Sequence, residues 1–252
     1  MDRTCEFYES CGMEFCTYDI ECPHYQRKMK PVIFSAPMQK AIDDDLKTQT
    51  RRVIKPKYSN THFKFRTSKY GTEFVEMQND VEGETFGKTE DGKTWHKLLG
   101  YVMPNPKYKQ GDILYVLEAW RVQSVCFPLC MTIEYRSDGT TSLIEFDPMR
   151  FEQFYKFSKK TGWQSPYFMP KEAARKFLKV KDVKPEQLND ITEEDAMAEG
   201  TTFGKGQRRW TARSAFMDLW DSLNAKRGYS WESNPWVWVY EFEKCEKPGG
   251  AK

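Results

Sequence analysis

The sequence predicts an α+β protein in which a few short, capped helices flank a set of β-strands and further β-hairpins are inserted. Three observations carry that prediction. Ile113 to Leu117 and Trp236 to Phe242 are almost unbroken apolar runs of strand length. Asp91-Gly92 and Asp138-Gly139 are two-residue hairpin signals. Three other segments carry caps and helical apolar spacing: Pro37 to Ile42, Asp190 to Gly200, and the stretch from Ser214.

Length and composition fit a packed, water-facing protein. The chain has 252 residues, 39% hydrophobic and 15% aromatic, enough for one large or two small cores. Its net charge of +2 does not mark it as a nucleic-acid binder, so any such case rests on local patches. No apolar run approaches the roughly 20 residues that cross a bilayer, and no signal-peptide core opens the chain. A cytoplasmic protein without a membrane partner is expected, and nothing in the sequence specifies an oligomeric state.

In chain order, Ser35 or Ala36 precedes a helical turn opened by Pro37, with Met38, Ala41 and Ile42 as its apolar stripe. Leu46 to Thr72 then contains no Asp or Glu, but holds Lys47, Arg51, Arg52, Lys55, Lys57, Lys64, Arg66 and Lys69. That pattern suits either an anion-seeking surface or a strand edge whose charges discourage pairing. Lys47 and Thr50 would face opposite sides of an ideal strand, so they converge only if Lys47 belongs to the helix end or its turn. Residues 59–110 lose apolar periodicity and read as an inserted β excursion, with strands at Phe63 to Arg66 and Glu73 to Met77. Trp95 and His96 in it either touch a substrate or cover core.

Ile113 to Leu117 should be a central strand, and Met131 to Tyr135 with Thr141 to Phe146 a hairpin. Phe151 to Lys160 suits a helix or a flap. From Phe151 to Lys181 eight Lys or Arg stand against Glu152 and Glu172, interleaved with Phe154, Tyr155, Phe157, Trp163, Tyr167 and Phe168. This is the composition of a stacking and phosphate-gripping surface for single-stranded nucleic acid, or of an aromatic core with lysines on its outside. Phe177 to Val183 reads as a strand closed by Pro185. Asp190 or Thr192 caps a helix ending at Gly200, with Glu199 in its last turn. A carboxylate there opposes the helix dipole, which suits proton transfer when the group is buried. Gly204 to Trp210, with Arg208 and Arg209, is a basic loop without the spacing of a nucleoside-triphosphate site. Phe216, Leu219, Trp220 and Leu223 mark the core face of the next helix.

The cysteines are unevenly placed. Cys5, Cys11, Cys16 and Cys22 crowd residues 1–30, an arm where four thiolates would close a tetrahedral zinc site or remain free thiols. Their spacing is not the paired Cys-x-x-Cys of zinc ribbons. Cys126 and Cys130 are expected as small buried hydrophobes. Residues 31–245 form the main domain, and 246–252 a polar tail.

The run Lys47-Thr48-Gln49-Thr50-Arg51-Arg52 resembles the signature of the ASCH family, a PUA-like β-barrel group, especially its phage and prophage members. The resemblance extends to Gly111 to Trp120, Ser165 to Pro170, Asp190 to Ala196 and Asn234 to Trp238. One departure is Leu117, where related phage sequences usually carry Arg before the Glu. The resemblance implies a PUA-like mixed β-barrel acting on RNA or a modified nucleoside in the cytoplasm of a bacterial host. Small family members are N4-acetylcytidine amidohydrolases that need no cofactor. By correspondence their catalytic Lys, Thr and Glu fall on Lys47, Thr50 and Glu199, and an Arg on Arg52. Arg51, Glu118, Trp120, Arg208 and Arg209 join Arg52 as candidate substrate-binding residues. The resemblance is equally compatible with a non-catalytic RNA-binding module, or with a ribonuclease, although no catalytic His pair is present.

Overall fold

The structure, a computed structural model, describes residues 29–58, 61–68, 71–78, 101–201 and 211–248. The chain is α+β. One sheet has the strand order β1-β6-β10-β11-β2, from Lys30–Ile33 (β1), Ile113–Leu117 (β6), Phe177–Gln187 (β10), Trp236–Cys245 (β11) and Gln49–Val53 (β2). Two three-stranded sheets join Thr61–Ser68 (β3), Gly71–Gln78 (β4) and Tyr101–Val102 (β5), and Trp120–Cys126 (β7), Cys130–Tyr135 (β8) and Thr141–Glu145 (β9). The strands form open sheets, and no closed barrel is present among the described residues. The chain divides into two compact units. The first comprises Met1–Leu46, Tyr108–Asp182 and Glu241–Lys252, and the second Lys47–Lys107 and Val183–Tyr240.

In the first unit the apolar run Ile113 to Leu117 is an interior strand, parallel to β1 and antiparallel to β10. The helix opened by Pro37, α1 (Ala36–Asp43), follows β1, and Asp45 at φ 58° turns the chain after it. The Asp138-Gly139 signal makes the β8–β9 turn, with Gly139 at φ 71°. Phe151 to Lys160 is helical: α2 (Pro148–Tyr155), capped by Asp147, followed by a 3₁₀ turn over Lys156–Lys159. Trp120, Met131, Ile133, Tyr135, Phe154, Phe157 and Phe177 build this unit's core.

In the second unit β3 and β4 pair antiparallel in full register, Phe63 stacks on Phe74, and Phe65 and Phe74 pack with Trp236, Phe74 also meeting Trp238. Thr192, rather than Asp190, caps α3 (Glu193–Ala198), through a reciprocal pair of bonds with Asp195. Gly200 at φ 81° ends it. Thr211 caps α4 (Ala212–Asn224), which buries Ala212, Phe216 and Trp220. Leu223, expected on that face, is exposed at the end of the helix. Pro185 does not close β10, which continues to Gln187. Its fixed φ suits an extended chain, and its one missing donor does not break the strand.

Candidate functional site

The second unit gathers charges that lie far apart in sequence. Lys47 sits in neither α1 nor β2. It makes an isolated antiparallel bridge with Glu199, and Thr48 N donates to Ala198 O at 2.8 Å. That bridge carries the Lys47 side chain inward to the end of α3, where Glu199 is the C-cap. Lys47 Nζ donates to Glu199 Oε2 and to the Glu199 carbonyl, each at 2.7 Å. Arg51 closes the other side. Its Nη1 lies 3.4 Å from Glu199 Oε1, and its Nη2 lies 2.9 Å from Glu186 Oε1 and 3.2 Å from Asp195 Oδ2. Two cations thus meet three carboxylates, with Lys184 flanking Glu186 at 3.5 Å.

Lys47 is only 2% exposed. Burial pushes its pKa down, Arg52 and Arg51 push it further the same way, and Glu199 opposes them without restoring it. Asp195, by contrast, is held in its charged form. Burial alone would raise its pKa, but Arg51, Gln49 and the Thr192 amide hold it below the usual carboxylate range. A buried amine whose charged form is disfavoured, in contact with a carboxylate, can exchange a proton at modest cost.

Lys47 and Glu199 are therefore brought together as expected, and Thr50 is not part of their network. Alternation along β2 places Gln49 and Arg51 on one face and Thr50 and Arg52 on the other. Thr50 is buried, while Arg52 is exposed. Of the two arginines, Arg51 enters the charge cluster, and its guanidinium is occupied by carboxylates, so it does not present a free anion-binding face. The anion-seeking reading of Leu46 to Thr72 fails at its first residues for this reason. Glu186 and Asp195 belong to the cluster but were not candidates. Asp195 was legible only as a capping-box acid, and Glu186 carried no local signal.

Glu118 and Trp120 lie in the first unit, apart in sequence from the Lys47 cluster, and both are fully buried. Glu118 is fully buried and clamped by Arg175 (Nε to Oε1 2.8 Å, Nη2 to Oε2 2.7 Å), by the Ser137 hydroxyl at 2.6 Å and by Lys176 at 3.5 Å. Arg175 comes from a different segment and supplies the cation that the residue before Glu118, Leu117, does not. Trp120 has no exposed surface and packs on Phe157 and Phe154 at ring separations of 5.2 and 6.3 Å. Its indole is core.

The basic aromatic segment divides. Phe154 and Phe157 are core, whereas Tyr155, Trp163, Tyr167 (79% exposed) and Phe168 face outward. Lys159 lies over the Tyr155 ring and Lys160 over Phe157, at 5.4 and 4.8 Å. From Tyr155 to Lys171 there is no Asp or Glu.

Cys5, Cys11, Cys16, Cys22, Trp95, His96, Arg208 and Arg209 lie outside the described residues. Among the described residues no group of three or more His, Cys, Asp or Glu side chains is arranged to hold a metal, and no helix is long and apolar enough to cross a membrane. Compared with protein-family models, with curated proteins and with solved structures, the chain matches none.

Proposed function

We propose that this chain is an ASCH-type, PUA-like hydrolase that removes the acyl group from an N4-acylated cytidine. The observation that carries the reading is the buried Lys47–Glu199 contact at 2.7 Å, with the Lys47 pKa held down by burial. Neutral Lys47 takes the proton of the attacking hydroxyl, from water or from Thr50. The oxygen adds to the acyl carbon, the bond from that carbon to N4 breaks, and the proton that Lys47 took passes by way of Glu199, 2.7 Å away, to the departing N4. Water completes the reaction as free carboxylate and cytidine. Because Thr50 stands on the other face of β2 from Arg51, water is the favoured nucleophile, and Thr50→Ala decides between the two.

The test is release of cytidine from N4-acetylcytidine, followed by chromatography, for the wild type, Lys47→Met, Glu199→Gln and Thr50→Ala, each first shown to melt cooperatively. Release by the wild type and its loss in the Lys47 and Glu199 variants is expected. No release at high wild-type concentration overturns the reading.

A second reading rests on a separate observation. The outward rings of Tyr155, Trp163, Tyr167 and Phe168 stand among Lys156, Lys159 and Lys160, none of which has a carboxylate partner among the described residues. Stacking rings with free ammonium groups suit a single-stranded RNA. Fluorescence anisotropy with a labelled oligoribonucleotide should show salt-sensitive binding that weakens in Tyr167→Ala and Lys159→Ala/Lys160→Ala. We also propose that a zinc ion held by Cys5, Cys11, Cys16 and Cys22 staples the N-terminal arm. Metal analysis of the purified protein, with Cys11→Ser as control, tests it.

A further inference from the structure

The β7–β8 hairpin carries the second pair of chemically reactive groups. Cys126 ends β7 and Cys130 begins β8, and the two are directly opposed in the antiparallel register. They were expected to be buried hydrophobes, but both are only partly covered and both are free thiols. The register explains the exposure. The preceding row across the sheet is Val125, Met131 and Ile144, which face the core of the first unit. The next row, Cys126, Cys130 and Glu145, must then face the other way. Cys130 Sγ donates to Cys126 O at 3.0 Å, so the thiol already leans across the hairpin toward its neighbour. Phe127, next to Cys126 at the tip, is 80% exposed, which leaves the approach open.

We propose that Cys126 and Cys130 form a covalent modification site, a cross-strand dithiol that reacts as a unit with low-molecular-weight disulfides. In the first step one thiolate attacks the small disulfide, giving a mixed disulfide and releasing one small thiol. In the second the other thiolate attacks the protein sulfur of that mixed disulfide, releasing the second small thiol and closing the Cys126–Cys130 bond. The two cysteines lose two electrons and two protons, and the small disulfide is reduced to two thiols. Directly opposed side chains have Cβ atoms roughly 4.5–5.5 Å apart, and a disulfide needs about 3.5–4.5 Å, so closure asks for a shift of roughly 1 Å at the free end of a hairpin. Contact with the Cys126 thiol pushes Cys130 above the usual thiol range, with burial and Glu145 adding to it. Because the Cys130 thiol is already engaged with the Cys126 carbonyl, the first attack falls to Cys126, and Cys130 makes the intramolecular second one, which proximity favours.

The test is to incubate the full chain with oxidised glutathione, alkylate the remaining thiols, and map the peptide that contains both cysteines by mass spectrometry. The wild type should lose both alkylation sites on that peptide without gaining glutathione. Cys130→Ser should instead retain a glutathione adduct on Cys126. Full alkylation of both residues after treatment would overturn the proposal, as would a stable glutathione adduct in the wild type or a bridge from either residue to another cysteine.

Discussion

Two buried carboxylate clusters in this chain look alike in outline and behave oppositely. In the first unit, burial would raise the Glu118 pKa, but the fork of Arg175 and the Ser137 hydroxyl overcome it and hold the group below the usual carboxylate range. Arg175 is raised in return: burial works against it, and Glu118 and Asp138 outweigh burial. Glu118, Asp138 and Arg175 are each more firmly charged for being there. In the second unit burial wins at Lys47, and the amine is less firmly charged despite a carboxylate at 2.7 Å. A bidentate guanidinium repays the desolvation of its partner, and a single buried ammonium does not. The first cluster holds structure together, and the second is poised to titrate.

The sharpest way to break the contrast is Arg175→Ala. It strands Glu118 in the interior with Ser137 and Lys176 as its remaining partners, and should cost about 3–5 kcal/mol, read by urea denaturation. Lys47→Met should cost less, about 1–3 kcal/mol, because Glu199 keeps Arg51 as a partner. Its larger effect should fall on cytidine release, a loss of about 10²–10⁴-fold. If Lys47→Met instead destabilises as much as Arg175→Ala, the two clusters are equivalent and the contrast fails.

The pH dependence of stability separates them next. Because the Lys47 pKa is lowered in the folded state, the unfolded chain binds more protons between that lowered value and its own value of about 10.4. Stability from this group therefore rises with pH through that window, and the rise should be missing in Lys47→Met melts run over the same range. The smallest effect is at Asp138, which burial would raise but Arg175 and Thr140 hold at about 2, against an ordinary value of 3.8. Its contribution is present above the ordinary value and is lost as pH falls through about 2. The side chain is well exposed, so with solvent screening it amounts to no more than about 1 kcal/mol. Asp138→Asn should flatten that part of the acid limb in denaturant midpoints.

Much of the secondary structure was legible because its signals are local. Pro37 opens α1, Thr192 caps α3, Gly200 stops it, and Asp138-Gly139 turns β8 into β9. That Lys47 and Glu199 belong together was legible only through the family resemblance, since the two are 152 positions apart. Arg51 and Arg52 could not be told apart from their neighbours in sequence, because both faces of β2 are partly covered and alternation alone does not say which face meets α3.

By itself, the sequence determined the Pro37 start of α1, the Gly200 stop of α3 and the Asp138-Gly139 turn, and that a Lys and a Glu of the right type were present. Caps, turns and strand runs depend on residues within a few positions of each other, so the chain states them directly. Tertiary structure decided which charges are buried: Lys47 rather than Lys55, Arg51 rather than Arg52, and Trp120 as core rather than binding surface. Burial and partner charge are sums over segments that meet only in the folded chain, and those sums set whether a lysine is a solvated cation or a titratable amine.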